Sequence, residues 1–184
     1  SSAASDVYKR QMEDTVDLLY NCVCLGLWVP FNEGWGQFDA ARIAAKVMQM
    51  DPTRTVDHAS GWHDQKIGET KSLHVYFKKY NFKPDKLGRA VLLSEFGGYN
   101  LRCEGHCFNA RDFGYKRLKS ADELQRSLEK LYNGEIRPAY EQGLAAAVYT
   151  QLSDVEDEVN GLITYDRKVV KLKPEVMRKI IKVD

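Results

Sequence analysis

The sequence lacks several features that would assign it to a class at once. It has four cysteines in 184 residues, 27 basic against 26 acidic side chains, and a formal net charge of +1. It also has no apolar run of the roughly 18 residues that a membrane span needs. The cysteines are too few and too irregularly spaced for a disulfide-stapled secreted fold. Because the charges balance, no overall field favours nucleic acid or a membrane as a partner. Any function must come from a local site.

No cofactor or metal motif is evident. The sequence has no Gly-rich phosphate loop of the nucleotide or dinucleotide type. Cys103, His106 and Cys107 are close in sequence, but two thiols and one imidazole lack a fourth metal ligand. We therefore expect reduced thiols, no metal and no cofactor. The acidic segment 154–158 is interpreted as a solvated loop, with a bound metal as the alternative.

The sequence does contain apolar runs that alternate with amphipathic segments. Strands are predicted at residues 23–29, 55–59, 73–77, 90–93 and 144–150. Helices are predicted at residues 12–21, 38–50, 120–142 and 174–181. Ser120 and Glu123 form a capping box before the third helix, and Gly143 suits its C-terminal end. This rhythm favours an α/β fold with a parallel sheet, either an open wound sheet or a barrel.

Two glutamates follow directly on apolar runs, Glu33 after VPFN and Glu95 after AVLLS. In a (β/α)8 barrel, the C-terminal ends of all strands face one active-site mouth, so two such side chains can meet despite their separation in sequence. Hydrolysis of a glycosidic bond with retention needs one carboxyl group as acid and one as nucleophile, about 5 to 5.5 Å apart. The strand-end glutamates suit these two roles.

Residues 28–39 (WVPFNEGWGQFD) resemble the acid/base segment of family 2 glycoside hydrolases, and residues 93–98 (LSEFGG) resemble the nucleophile segment. The resemblance continues through residues 56–64, 72–77 and 149–161. It implies an α/β fold, a partial (β/α)8 TIM barrel made of strands four to eight with their helices. It also implies that Glu33 is the acid/base and Glu95 the nucleophile of a double displacement.

The resemblance implies sugar contacts as well. Asn32 would bond the sugar 2-hydroxyl, and Tyr76 or His74 would hold the nucleophile. Three further side chains are expected to shape the sugar subsite: His58, Trp62 and Trp35. Each of these six residues has a structural alternative, as a turn former, a packed barrel residue or a loop anchor. Gln151 departs from the pattern, because many barrel glycosidases carry tryptophan there.

The expected activity is that of a retaining exo-β-glycosidase on terminal β-linked sugars, with β-galactosidase first and β-glucuronidase or β-mannosidase as alternatives. A non-catalytic carbohydrate-binding barrel is the competing hypothesis. The expected partners are a carbohydrate substrate and upstream β-sandwich domains of the same full-length chain.

Residues 1–11 (SSAASDVYKRQ) resemble a translated sequencing-library adaptor. We interpret them as non-native, the alternative being a natural polar arm, and predict one domain over residues 12–184. The chain would then be a truncated reading frame from environmental DNA that lacks strands one to three. Such a fragment exposes strand edges and is expected to fold poorly and to be inactive alone. No localisation is assigned.

Overall fold

The computed structural model describes residues 2–34 and 36–182 and has a mixed α/β fold. Five α-helices are described: α1 (Ser2–Leu19), α2 (Ala40–Met50), α3 (Ala121–Leu131), α4 (Arg137–Gln142) and α5 (Pro174–Ile181). Seven strands are described: β1 (Leu27–Trp28), β2 (Thr55–Val56), β3 (Thr70–Val75), β4 (Ala90–Gly97), β5 (Tyr99–Asn100), β6 (Lys116–Arg117) and β7 (Ala146–Thr150).

The strands form three small sheets. β1 pairs with β2 in parallel, with Leu27 opposite Thr55, and β5 pairs with β6 in parallel. β3, β4 and β7 form a three-stranded sheet in that order. The predicted α/β class is thus confirmed, and parallel pairing is present. Within the described ranges, none of the helices is both long and apolar enough to cross a membrane.

The described residues divide into two compact units. Unit 1 comprises residues 2–74 and 84–92, and unit 2 comprises residues 75–83 and 93–182. In unit 1, Val16 of α1, Trp28 of β1 and Val47 of α2 are buried in one cluster. Full burial of such side chains stabilises a fold by about 1.5 to 3 kcal/mol each. The Trp28 indole also donates to Asp51 at 2.8 Å, which anchors β1 to the end of α2.

The first helix is longer than predicted. The apolar spacing predicted a helix at residues 12–21, whereas α1 spans Ser2–Leu19. Its polar first half carries little apolar periodicity, but Tyr8 stacks on Phe31 with ring centroids 5.1 Å apart. The Tyr8 hydroxyl also donates to the Pro30 carbonyl. Tertiary packing therefore fixes this segment, and its adaptor origin stays a prediction.

The first predicted strand is much shorter than the apolar run suggested. Residues 23–29 were predicted to be buried, yet Val23 is 99% exposed and only Leu27–Trp28 pair as β1. The preceding residues form turns, and their carbonyls bind the Arg54 side chain. Its Nε donates to Leu25 O at 2.8 Å and its guanidinium to Cys22 O at 3.1 Å. The Arg54 side chain thus occupies backbone carbonyls that a neighbouring strand would otherwise bond.

Two other strand predictions need correction. The strand predicted at residues 73–77 lies at Thr70–Val75, and Phe77 is 78% exposed. The strand predicted at residues 55–59 is limited to Thr55–Val56. Short apolar runs do not reveal whether a neighbouring strand is available.

Unit 2 is built on a helical run from residue 121 to residue 142. Ser120 Oγ accepts from Glu123 N at 3.2 Å, and Glu123 accepts from Lys119 N at 2.7 Å, so the capping interaction is present. The predicted single helix is divided by a π-helical turn, Tyr132–Ile136. Pro138 explains this turn, because it cannot donate to the carbonyl four residues earlier and its ring crowds that carbonyl. Gly143, with φ of 113°, ends the run as predicted.

Candidate active site

Glu33 has a fixed backbone in unit 1. Beyond β1, Phe31 O accepts from Ser60 N at 2.8 Å, and Glu33 N donates to Ser60 O at 2.7 Å. These bonds continue the parallel pairing of β1 and β2 past the ends of both strands. Glu33 itself has a φ of 53°, a left-handed conformation uncommon for this residue type. The loop therefore holds the Glu33 backbone in a defined, strained position.

The Glu33 carboxylate contacts a buried imidazole. His74 Nδ1 lies 3.0 Å from Glu33 Oε1, and His74 Nε2 lies 2.9 Å from Ser60 Oγ. The His74 side chain is fully buried. With Nδ1 protonated, the imidazole donates to the carboxylate while the serine hydroxyl donates to Nε2. The three groups form a hydrogen-bonded chain that ends at Glu33.

A glycine allows the His74 ring to lie close to the loop. Gly61 has a φ of 90°, and a Cβ built on it would lie 2.5 Å from His74 Nδ1. Any larger residue would displace the imidazole or the loop. Next to Gly61 in the sequence, Trp62 is 53% exposed, and its ring centroid lies 6.3 Å from that of His74. An exposed indole there offers an apolar face to a ligand.

The other predicted residues of unit 1 are less central. Asn32 is exposed next to Glu33. His58 is 2% exposed, and its Nε2 accepts from Gln65 N at 3.0 Å, which fixes the loop after β2. Burial lowers the pKa of His58. Trp35 lies outside the described residues. The roles of Asn32, His58 and Trp35 in sugar binding stay predictions.

Glu95, near the end of β4 in unit 2, contacts a phenol. The Tyr76 hydroxyl donates to Glu95 Oε2 at 2.5 Å. Burial and the hydrogen bond to Glu95 raise the pKa of Tyr76 well above its usual range, so the phenol remains a donor at working pH. Tyr76 is one of the two side chains that the sequence suggested as partners of Glu95, and its role in holding a nucleophile stays a prediction.

Tyr76 also depends on a glycine. Gly98 has a φ of 61°, and a Cβ built on it would lie 2.9 Å from the Tyr76 ring and 2.6 Å from that of Tyr115. The Tyr76 and Tyr115 rings pack with centroids 5.1 Å apart. The backbone after β4 therefore passes directly beneath the side chain that holds Glu95.

A second polar cluster of unit 2 is centred on Gln151, which follows β7. Its Nε2 donates to Asn160 Oδ1 at 2.8 Å and to Glu158 Oε2 at 3.2 Å. Asn160 is fully buried, and Glu158 is half-buried. Burial and the negative charge of Glu95 raise the pKa of Glu158. Glu158 is thus within electrostatic range of the candidate nucleophile.

The acidic segment 154–158 is not simply a solvated loop, which corrects our interpretation. Asp154 is 1% exposed and accepts from Lys171 Nζ at 2.7 Å, while Lys171 also donates to Val159 O at 2.9 Å. Ser60, Glu158 and Asn160 were not predicted as site residues. Ser60 follows a predicted strand, which is a usable signal, but nothing in the acidic run distinguishes Glu158 from its neighbours.

The cysteine segment is held by protein contacts. All four cysteines are free thiols. His106 Nδ1 lies 2.8 Å from Asp166 Oδ2, and Cys107 Sγ donates to Cys103 O at 3.2 Å. Burial raises the pKa of the Cys103 thiol, which favours its protonated form.

No protein-family model matches this sequence, and no curated protein matches it. Solved structures do share its fold. One is a β-glucuronidase from an uncultured Clostridium species, with a TM-score of 0.60 and 13% identity over 95% of this chain and 35% of that one. Another is a Faecalibacterium prausnitzii β-glucuronidase, with a TM-score of 0.54 and 16% identity over 97% and 35%.

These likenesses define the fold class. The chain has a glycoside hydrolase-like fold and spans 35% of the length of each of the two enzymes. At such low identity the similarity concerns the fold alone, since one fold hosts many activities. Activity must be argued from the site residues.

Proposed function

We propose that this chain is the C-terminal part of the catalytic (β/α)8 barrel of a family 2 retaining exo-β-glycosidase. The observation that carries the proposal is the environment of the two strand-end glutamates. Glu33 is bonded to a buried imidazole, and Glu95 to a phenol that stays protonated. The glycoside hydrolase-like fold supports the same reaction class.

In the first step, the Glu95 carboxylate attacks the anomeric carbon, and the bond from this carbon to the leaving oxygen breaks. Glu33 donates its proton to that oxygen, so the aglycone departs as an alcohol. The product is a glycosyl ester on Glu95. The Tyr76 hydroxyl orients Glu95 for attack by donating a hydrogen bond to one carboxylate oxygen.

In the second step, water attacks the anomeric carbon and gives its proton to Glu33, and the ester bond to Glu95 breaks. Glu33 therefore loses and regains one proton in each turnover. The chain of Ser60 and His74 supports both states of Glu33, since an imidazole and a hydroxyl can each donate or accept. The anomeric configuration is retained after two inversions.

For the sugar, we propose a β-galactoside. β-Glucuronidase is the second candidate, favoured by the names of the two similar structures. A non-catalytic carbohydrate-binding barrel is disfavoured because both carboxylates keep dedicated hydrogen-bond partners.

Covalent trapping tests the reaction in the full-length protein that carries this chain. A β-galactoside with fluorine in place of the 2-hydroxyl and an activated leaving group should form a stable ester on Glu95. Tryptic digestion should then place the label in residues 90–102, between Arg89 and Arg102. The exposed Glu141→Gln variant should label normally. Turnover of aryl glycosides with the label on another residue would refute the assignment of Glu95.

A further inference from the structure

Unit 2 contains a cavity that the proposed reaction does not use. Its volume is about 310 Å³, at the lower end of the range for small-molecule sites. The segment after β3, the end of β4, the paired strands β5 and β6, and the π-helical turn all contribute to its wall. Tyr76, which bonds Glu95, is among the lining residues. The cavity therefore lies next to the hydrogen-bond partner of the candidate nucleophile.

Two lysines give this cavity a positive charge. Lys78 and Lys116 both line it, are exposed, and make no ion pair with a carboxylate among the described residues. Lys116 is held in place, because it pairs with Tyr99 across β5 and β6 and its Nζ lies 5.5 Å from the centroid of the Tyr99 ring. Glu135 also lines the cavity, and its Oε2 already accepts from Tyr80 N at 2.6 Å. Two cations and one bonded carboxylate leave a net positive charge that attracts an anion.

Aromatic side chains form much of the same wall. They are Tyr76, Phe77, Tyr80, Phe96 and Tyr99. Phe77 is 78% exposed, and such a ring offers an apolar face on which the C–H groups of a sugar ring can pack. Tyr80 is 6% exposed, and its hydroxyl makes no hydrogen bond to any residue that the structure describes. A buried hydroxyl without a partner is costly, so an acceptor on a bound molecule would stabilise it.

We propose that this cavity binds a single sugar unit that carries an anionic group, either a carboxylate or a sulfate. The ammonium groups of Lys78 and Lys116 favour the anion, and the aromatic faces favour a ring with C–H groups. Glu135 is an acceptor for sugar hydroxyl groups. A bare anion would use only the lysines, and a neutral sugar would leave both lysines unpaired. The inference goes beyond the proposed function, since it needs no reaction at Glu95.

Equilibrium binding to the full-length protein that carries this chain tests the proposal. The probes are galacturonate and galactose 6-sulfate, with galactose and inorganic sulfate as ligands that each match only part of the cavity. Low ionic strength keeps the charge interaction measurable. We expect at least one of the two anionic sugars to bind about tenfold more tightly than either galactose or inorganic sulfate. The tighter of the two identifies the preferred anion.

Two variants place this binding in the cavity. Lys78→Gln and Lys116→Gln each remove one charge from an exposed position and should leave the melting temperature unchanged. Each should weaken binding of the anionic sugar about three- to tenfold and leave galactose unaffected. Lys130→Gln is the matched control, because Lys130 is an exposed lysine of α3 that does not line the cavity.

Three results would overturn the inference. The anionic sugars could bind no better than galactose, inorganic sulfate could bind as tightly as they do, or both cavity variants could bind like Lys130→Gln. Binding of a sugar at Glu95 does not enter the comparison, because only the part that depends on Lys78 and Lys116 is assigned to the cavity. Failure of covalent trapping on Glu95 would therefore refute the proposed function and leave this inference standing.

Discussion

Unit 1 and unit 2 each hold one strand-end glutamate, but the two carboxylates have partners of different chemistry. Glu33 is bonded to the His74 imidazole, a side chain whose ring nitrogens can donate or accept a hydrogen bond. Glu95 is bonded to the Tyr76 phenol, whose pKa is raised by burial and by Glu95 itself. A group that must exchange a proton in each turnover thus has a partner that can donate or accept. A group that must stay ionised has a permanent donor.

The backbone support of the two partners is similar. His74 packs over Gly61 and Tyr76 packs over Gly98, both with positive φ values and with no room for a Cβ. Each ring therefore has its position set by a glycine as well as by its hydrogen bond. The two units differ in the proton chemistry of the partner and agree in how the partner is held.

Removal of each glutamate should give the largest effects and separate the two roles. Glu95→Ala should reduce turnover to background, because no nucleophile remains. Glu33→Ala should lose about 10²- to 10⁴-fold on substrates with poor leaving groups, the usual contribution of a general acid. Azide should restore activity of Glu33→Ala on activated aryl substrates and yield the β-glycosyl azide, whereas Glu95→Ala should yield the α-anomer. Near-normal activity of Glu95→Ala would show that Glu95 is not the nucleophile, and the contrast between an acid/base in unit 1 and a nucleophile in unit 2 would be lost.

Tyr76→Phe should have the next largest effect. Loss of a hydrogen bond to a charged group is expected to lower kcat about ten- to hundredfold. The basic limb of the pH–rate profile should not move, since the raised pKa of Tyr76 keeps its proton in place throughout the working range. Tyr165→Phe, at a half-exposed tyrosine of the same unit, should change neither kcat nor this limb.

His74→Asn should have a smaller effect on rate, and one that depends on the leaving group. Asparagine keeps a donor near Glu33 but loses the second ring nitrogen that bonds Ser60, so we expect kcat to fall about tenfold when the leaving group needs protonation. Substrates with activated leaving groups should be almost unaffected. His63→Asn, at an exposed histidine of the same unit, is the control. Equal losses on all leaving groups would show that His74 has only a packing role.

Much of the fold could be predicted because helix signals are local. The capping box at Ser120, the C-terminal glycine Gly143 and helix α5 all lie where the sequence places them. Strands were less predictable, since their length depends on neighbours distant in sequence. Val23 has the hydrophobicity of a strand residue, but it lies in a turn and is 99% exposed, and the nearby Leu25 carbonyl accepts from the Arg54 side chain instead of from a strand.

The candidate site shows the same limit. Glu33 and Glu95 could be singled out because each follows an apolar run, a local signal. The sequence could not predict that His74 contacts Glu33 and Tyr76 contacts Glu95. Both side chains lie on the same face of one predicted strand, so they look equivalent in the sequence. The bonds of Gln151 to Glu158 and Asn160 were hidden for another reason, because the sequence does not show which part of the following loop returns to Gln151.

Ser60→Ala should give the smallest effect, and it tests whether unit 1 contains a chain of groups or a single pair. Loss of one neutral hydrogen bond to His74 Nε2 is expected to lower kcat about two- to tenfold. If Ser60 acts on Glu33 only through the imidazole, the same change in a His74→Asn background should cost nothing further. Additive losses in this double-mutant cycle would mean that Ser60 and His74 act independently. The contrast between the units would then reduce to imidazole against phenol.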